Sequence, residues 1–340
     1  MSTHPDLLDV VDSTDWFATI ALPAPSSFDD SAARFEIEWK NARRQLSDRW
    51  DSHEIEALDG FVADIPHDGG PALVLICGRG GATFAEFLDE PVQNGVVHED
   101  ALPRLATLIE GRQRTIPHVV VETDRTGADL TAFDGGDVLS TDQVSGETHH
   151  IHRGAPGGWS QRRFQQRAEN IWEQNGKEVA DAVASLARDV DARLIAVAGD
   201  VRAQGIVLEA LPSDVADRAV RIEEGSPDGI ADHVVRLLSS QVAERATELA
   251  EAVRAGLASD LATVDSDEVL RAALDGRVET LLVHDDDLDT PTTTEALGDI
   301  PAGVRVVDAA IVAALRTDAT VFVVPNLATM EGPVAALLRW

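Results

Sequence analysis

Residues 117–133 read PHVVVETDRTGADLTAF. Val119–Val121 is β-branched throughout and runs into Glu122-Thr123-Asp124. Arg125-Thr126-Gly127 supplies a turn, and Ala128–Phe133 returns with apolar residues at alternate positions, so the segment predicts a β-hairpin. Beyond it, from Ser160 to about Arg188, apolar residues recur at spacings of mostly three or four, at Phe164, Ala168, Ile171, Trp172, Val179, Val183 and Leu186. That is the period of one helix face. Leu194–Ala198 is a buried strand ending at Gly199-Asp200, and a short helix and a strand over Ala219–Ile222 follow. Hairpin, long helix, strand, helix, strand predicts an α/β layer sandwich.

The flanks extend the same class. On the N-terminal side, a strand over Trp16–Leu22 stops at the breakers Pro23 to Ser27. A helix spans Asp30 to about Trp50, with Phe35, Ile37 and Trp39 on it and a cationic knot at Arg43, Arg44 and Arg49. Ala72–Ile76 and Ala82–Leu88 read as strands joined through Gly78-Arg79-Gly80-Gly81. Thr83 stands where a dinucleotide fingerprint needs its third glycine and a strand follows, so a hairpin turn is expected rather than a phosphate loop. A helix over Ala101–Arg112 closes this part. On the C-terminal side a long helix, about Asp228–Asp260, precedes a helix over Ser266–Leu274 and a strand over Thr280–Val283. The acidic run from His284 to Asp289 comes next, then a strand over Gly303–Val307, a helix through Leu315, a strand over Thr320–Val324 and a tail from Met330. The expectation is three α/β domains over 1–115, 116–226 and 227–340. No internal repeat is visible, which argues against a solenoid or propeller.

Composition narrows the function. With 28 Lys+Arg against 60 Asp+Glu over 340 residues, the formal charge is −32. A whole-molecule electrostatic grip on DNA, RNA or an anionic membrane needs the opposite sign. Hydrophobic content of 44% is that of a chain able to bury cores. Cys77 is the only cysteine, which excludes an intrachain disulfide and a Cys-rich zinc site and fits a reducing cytoplasm. The first residues lack a basic n-region and no apolar run is long enough to span a bilayer, so neither a signal peptide nor a membrane partner is expected. All cations but Lys40 and Lys177 are arginine. A GC-rich genome is the simplest reading of that skew, as halophily or solubility is of the acidity.

One segment breaks the acidic pattern. Thr148–Ala168 contains no Asp or Glu, and its 21 residues hold Arg153, Arg162, Arg163 and Arg167, a local +4 within −32. They also hold His149, His150 and His152, the pair Gly157-Gly158, and Trp159. Guanidinium groups on a glycine-bearing loop beside an aromatic ring suit RNA phosphates and unstacked bases, and the start of the following helix favours anions. Equally, Trp159 and Phe164 suit a core, and the arginines suit carboxylates elsewhere on an acidic surface.

The stretch His152-Arg153-Gly154-Ala155-Pro156-Gly157-Gly158-Trp159-Ser160-Gln161-Arg162-Arg163-Phe164 resembles the middle-domain loop of eukaryotic and archaeal class-1 release factors, where Gly-Gly-Gln precedes a long helix with an Arg-Phe pair. Asp267–Val283 and the ending GPVAALLRW, residues 332–340, are similar to the C-terminal domain of release factors and Pelota. The resemblance covers about residues 117–340. The whole chain looks most like the bacterial and archaeal release-factor-like family, actinobacterial branch, related to the hibernation factor Balon. It implies a mixed α/β N-terminal domain, an RNase-H-like middle domain and an L30e-like C-terminal domain. It also implies binding to the ribosomal A site and 23S rRNA, of hibernation or rescue type, beside an elongation-factor-type GTPase, with no cofactor. The rRNA contacts it suggests are Arg153, Gly157, Gly158, Trp159, Ser160, Gln161, Arg162, Arg163 and Arg167.

The chain departs from the family pattern where the chemistry would be. Trp159 and Ser160 separate the glycines from Gln161. If Gln161 is the equivalent glutamine, it would position water for peptidyl-tRNA hydrolysis. If register follows the glycines, Trp159 would fill the pocket and block it. Residues 1–113 lack an Asn-Ile-Lys-Ser motif, which argues against stop-codon reading. Three further constellations stand open: Glu122, Asp124 and Asp200 as a Mg²⁺ nuclease site or as turn acids; His149, His150 and His152 as a zinc site or a polar loop; and the run Asp285–Asp289, expected to be a solvated loop.

Overall fold

The computed structural model describes residues 4–24, 31–65, 70–81, 83–92, 95–145, 158–285, 292–324 and 332–340, with side chains at all of these except 31 and 158–170. Residues 114–242 form one compact unit, and residues 1–113 and 243–340 together form another. Three sheets are present among the described residues, one in each of the spans 1–115, 116–226 and 227–340.

The first part contains α1 (Pro5–Val11), β1 (Phe17–Pro23), α2 (Ser31–Arg43), α3 (Ser52–Ala63), β2 (Ala72–Gly78), β3 (Thr83–Leu88), β4 (Val96–Asp100) and α4 (Ala106–Arg114). Its sheet has the order β3-β2-β1-β4 with every pair antiparallel. Strand β2 is buried along its whole length, and strand alternation explains why. Leu73, Leu75 and Cys77 pack with Phe35, Trp39, Leu58 and Val62 of α2 and α3, while Ala72, Val74 and Ile76 face the opposite core. The expected hairpin over Gly78–Gly81 is present. Its turn is tied to the start of α3 by Glu54, which accepts from the Gly80 N–H at 3.1 Å and forms a capping box with Asp51. Helix α3 and strand β4 have no counterpart in the sequence reading. β4 carries the polar run VVHED, and α3 carries Gly60, a poor helix former, in its interior.

The second unit holds β5 (His118–Thr123), β6 (Gly127–Asp134), β7 (Asp137–Ser145), α5 (Gly158–Asp189), β8 (Leu194–Gly199), α6 (Val201–Ala210), α7 (Ser213–Ala216), β9 (Ala219–Arg221) and the first half of α8 (Pro227–Leu257). Strand order is β7-β6-β5-β8-β9, with β5 antiparallel to β6, β6 antiparallel to β7, and β5, β8 and β9 parallel. That is the RNase-H-like arrangement. Val179, Val183 and Ala187 of α5 cover one face over Val119, Val121, Leu130, Ile195 and Val197. Ile230 and Val234 of α8 cover the other over Leu194, Ala196 and Ala198. The polar segment expected from Ser140 is strand to Ser145: β7 is an exposed edge whose ladder to β6 forms without an apolar stripe.

The chain then returns to the other unit with the second half of α8 and with β10 (Ala262–Thr263), α9 (Ser266–Leu274), β11 (Val278–Val283), α10 (Val306–Arg316), β12 (Thr320–Val323) and β13 (Val334–Leu338), in sheet order β10-β13-β11-β12. The expected strand over Gly303–Val307 is instead the approach to α10, with Arg305 at its N-cap. Residues 306–315 are all buried, so the valines that mimic a strand are the first turn of a helix enclosed on every side. The first and third sheets share a core, in which Leu7, Val10, Leu105, Leu108 and Ile109 join Ile311, Val312 and Leu315. Gln113 seals it at one point, donating to the Val323 carbonyl at 2.7 Å and accepting from the Val323 N–H at 2.9 Å.

Candidate functional site

The acid-free segment meets described structure at Gly158, the first residue of the 32-residue helix α5. Arg153, Gly157 and the three histidines His149, His150 and His152 lie outside the described residues. Trp159, Ser160, Gln161, Arg162, Arg163 and Arg167 sit in the first three turns of α5, their side chains also outside what is described. The helix is anchored further on. Asn175 is the first buried residue among those of α5 whose burial is described, and at 1.5 Å per residue the helix start lies about 25 Å along the axis from it. The most positive segment of the sequence thus runs into the start of a helix whose second half is packed on a sheet.

That anchor is a polar junction of three elements. Arg125, in the β5–β6 turn, and Arg202, in the first turn of α6, both approach the ring of Trp172 on α5, at 4.9 and 5.1 Å from its centroid. Asn175 donates to the Arg125 carbonyl at 3.3 Å. Gly176 lets α5 pass close to α6, since a Cβ there would meet Ile206 Cγ2 at 2.3 Å. The cavity these residues line is about 10 Å³, room for about one water. Sequence reasoning placed Trp172 on the apolar face of the helix but missed the two arginines, which lie 47 residues before and 30 residues after it.

The carboxylates weighed as a metal site are engaged in local structure. Asp200 caps α6, accepting from the N–H groups of Arg202 and Ala203 at 3.0 and 3.1 Å, and pairs with Arg125 at 3.1 Å. Asp124 closes the hairpin turn, accepting from the N–H and hydroxyl of Thr126 at 2.6 and 2.7 Å and from the Gly127 N–H at 2.9 Å. Each carboxyl is held below its ordinary range, Asp200 chiefly by the Ala203 amide and Asp124 chiefly by the Thr126 hydroxyl. Glu122 is exposed on β5. Among the described residues no group of three or more His, Cys, Asp or Glu side chains is placed to hold a metal ion. The expected result for Asp200→Ala is a loss of about 1 kcal/mol in chemical denaturation, the usual effect of losing a cap. A Mg²⁺-dependent RNA cleavage abolished by that substitution would reverse this reading.

The run read as a solvated acidic loop is corrected at its first member. Asp285 is mostly buried and ion-paired with Arg305, which also bonds Asp308; residues 286–289 lie outside the described residues.

Residues 117–259 match the family model described as Bacterial archaeo-eukaryotic release factor family 2. The match covers 143 of the 340 residues. The chain is also 29% identical over 199 residues to an uncharacterised protein of Mycobacterium tuberculosis, Rv2629 in strain H37Rv and MT2704 in strain CDC 1551, covering 58% of this chain and 53% of that protein. It thus spans about half the length of the curated relatives it matches. Among solved structures it is similar to archaeal translation termination factor aRF1 (17% identity, 99% of this chain and 97% of that one, TM-score 0.26). It is likewise similar to ribosome-bound archaeal Pelota, solved with ABCE1 (14%, 100% and 94%, 0.43), and to Saccharomyces cerevisiae Dom34, a termination-like factor interacting with Hbs1 (10%, 79% and 80%, 0.43). All three scores are low, so these likenesses carry no argument about this chain. No described helix is long and apolar enough to cross a membrane.

Proposed function

We propose that this chain is a cytoplasmic, ribosome-binding translation factor of the release-factor type. It occupies the A site and turns residues 148–168 toward the 23S rRNA of the peptidyl-transferase centre. The observation that carries the reading is the coincidence of the acid-free, +4 segment with the start of α5, inside the segment that matches the release-factor family. A short positive patch on an acidic body gives attraction at one place and repulsion elsewhere, which orients approach. The glycines let backbone come close to RNA, and the arginines neutralise phosphate. The missing Asn-Ile-Lys-Ser motif favours hibernation or rescue over codon-directed termination, and the resemblance adds an elongation-factor-type GTPase as partner.

The test is sedimentation of the purified chain with vacant ribosomes, with naked rRNA in parallel. Retention by ribosomes and weak binding to naked rRNA are expected, because −32 needs a shaped site to offset it. Failure to co-sediment would sink the proposal. Gln161 bears on the enzymatic alternative. If the loop only blocks the centre, wild type and Gln161→Ala release no peptide from loaded ribosomes, whereas release by wild type that Gln161→Ala abolishes makes the chain a peptidyl-tRNA hydrolase.

A further inference from the structure

A cleft of about 330 Å³ opens in the third part of the chain, between helix α9 and β10, the edge strand of its sheet. Small-ligand sites span about 300–1,000 Å³, and this one stands at the low end, where a molecule of amino-acid size fits better than a large cofactor. Glu268, Arg271 and Ala272 line it from α9, at spacings of three and four that put them on one helix face. Ala262 and Thr263 line it from β10 and Leu338 from the end of β13, while Asp260 stands in the turn before β10 and Arg277 between α9 and β11. The whole lining comes from one compact unit.

The charged groups of the cleft fall into two pairs. Two are held: Glu268 accepts from the Thr263 hydroxyl at 2.8 Å, and Arg277 pairs with Asp275 at 3.7 Å. The other two are not: among the described residues, the Arg271 guanidinium and the Asp260 carboxylate have no hydrogen-bond or ion-pair partner. In a chain with 60 acids against 28 bases, a guanidinium left without a carboxylate beside a cavity is an open position for one. A ligand carrying only negative charge would meet Asp260 and Glu268, and one carrying only positive charge would meet Arg271 and Arg277. The lining therefore selects a molecule with one charge of each sign. Its remaining wall, Ala262, Ala272 and Leu338, is apolar.

We propose that this cleft binds a free α-amino acid with an apolar side chain. The ligand carboxylate takes the Arg271 guanidinium, whose planar fork matches two carboxylate oxygens. The ammonium takes Asp260 and Glu268, the latter oriented by the Thr263 hydroxyl. The side chain lies over Ala262, Ala272 and Leu338, where the two alanines leave it room. All of these groups belong to the third part of the chain, so amino-acid binding and ribosome association are separable by mutation.

Equilibrium dialysis of the full-length chain against free leucine, valine and methionine tests the site, with the N-acetylated and the amidated form of each, and inorganic phosphate, in parallel. At least one free amino acid is expected to bind. Its N-acetylated form, without the ammonium, and its amide, without the carboxylate, should each bind about tenfold or more weakly, the effect of losing one charge-assisted hydrogen bond. Arg271→Ala should cost a similar factor. Asp260 has left-handed backbone, φ +57, which asparagine tolerates, so Asp260→Asn removes the charge, keeps the turn and should also weaken binding. Arg188→Ala, which removes an exposed arginine paired with Asp214 in the middle unit, should bind as wild type does. Thermal unfolding checks the fold of each variant, and should Arg271→Ala fail to fold, Asp260→Asn and the blocked ligands carry the test. The proposal is overturned if none of the three amino acids binds at up to about 10 mM, if the blocked forms bind as well as the free ones, if folded Arg271→Ala binds like wild type, or if phosphate binds in their place.

Discussion

Gly199→Ala is expected to unfold the middle unit or come close to it. Gly199 ends β8 with φ +109, in register with Thr123 of the parallel neighbour β5, and a Cβ there would meet the Thr123 carbonyl oxygen at 2.0 Å. The obstacle is backbone, so no rotamer change relieves it. The left-handed conformation alone is worth about 1–3 kcal/mol against a residue with a side chain, and the clash adds to it. A total of about 3–5 kcal/mol approaches the whole stability of an ordinary domain. The Asp200 cap follows directly, so a displaced Gly199 also disturbs the start of α6 and the Arg125 pair. Thermal or urea unfolding with tryptophan fluorescence checks this, with Gly225→Ala as the matched control because nothing lies within 4 Å of its Cβ direction. The control should shift by no more than about 0.5 kcal/mol. A Gly199→Ala chain as stable as the control would mean that β5 and β8 end differently.

The second large effect is on binding. Arg162→Ala with Arg163→Ala is expected to weaken ribosome association by about 10- to 100-fold at moderate salt. It should also make the slope of log K against log [salt] shallower by about 2, roughly one unit for each phosphate that is no longer neutralised. Both residues sit in the first turns of α5, and thermal unfolding of the double variant alongside wild type separates a loss of binding from a loss of fold. Arg236→Ala with Arg245→Ala removes the same formal charge from exposed pairs with Glu224 and Glu248 and should leave the slope unchanged. Equal losses from both double variants would mean that net charge, not the loop, governs association.

What could be read from the residues follows their periodicity. The β5–β6 hairpin was legible because its alternation and its Thr126-Gly127 turn agree, and α9 was legible because Asp265 caps a strongly amphipathic run. β7 was not legible: an exposed edge needs only its backbone ladder, and its side chains carry no pattern. Val306 and Val307 misled because a helix buried on all sides shows no polar face, and β-branched residues there look like strand. In the candidate site, the charge reversal over 148–168 is a property of composition and stands out directly. The joining of Arg125, Trp172 and Arg202, or of Asp285 and Arg305, is a property of topology that spacing does not encode.

The two-part unit also sets a schedule for synthesis. Leu7, Val10, Leu105, Leu108 and Ile109 emerge early, yet the helix α10 that covers them follows an intervening unit of roughly 130 residues. At about 5–20 residues per second the nascent chain carries that apolar face uncovered for about 10 s or longer, while the middle unit has all its own strands and can close first. Folding order therefore runs from the inside of the sequence outward, and a nascent-chain chaperone would find its binding site on the first part of the chain.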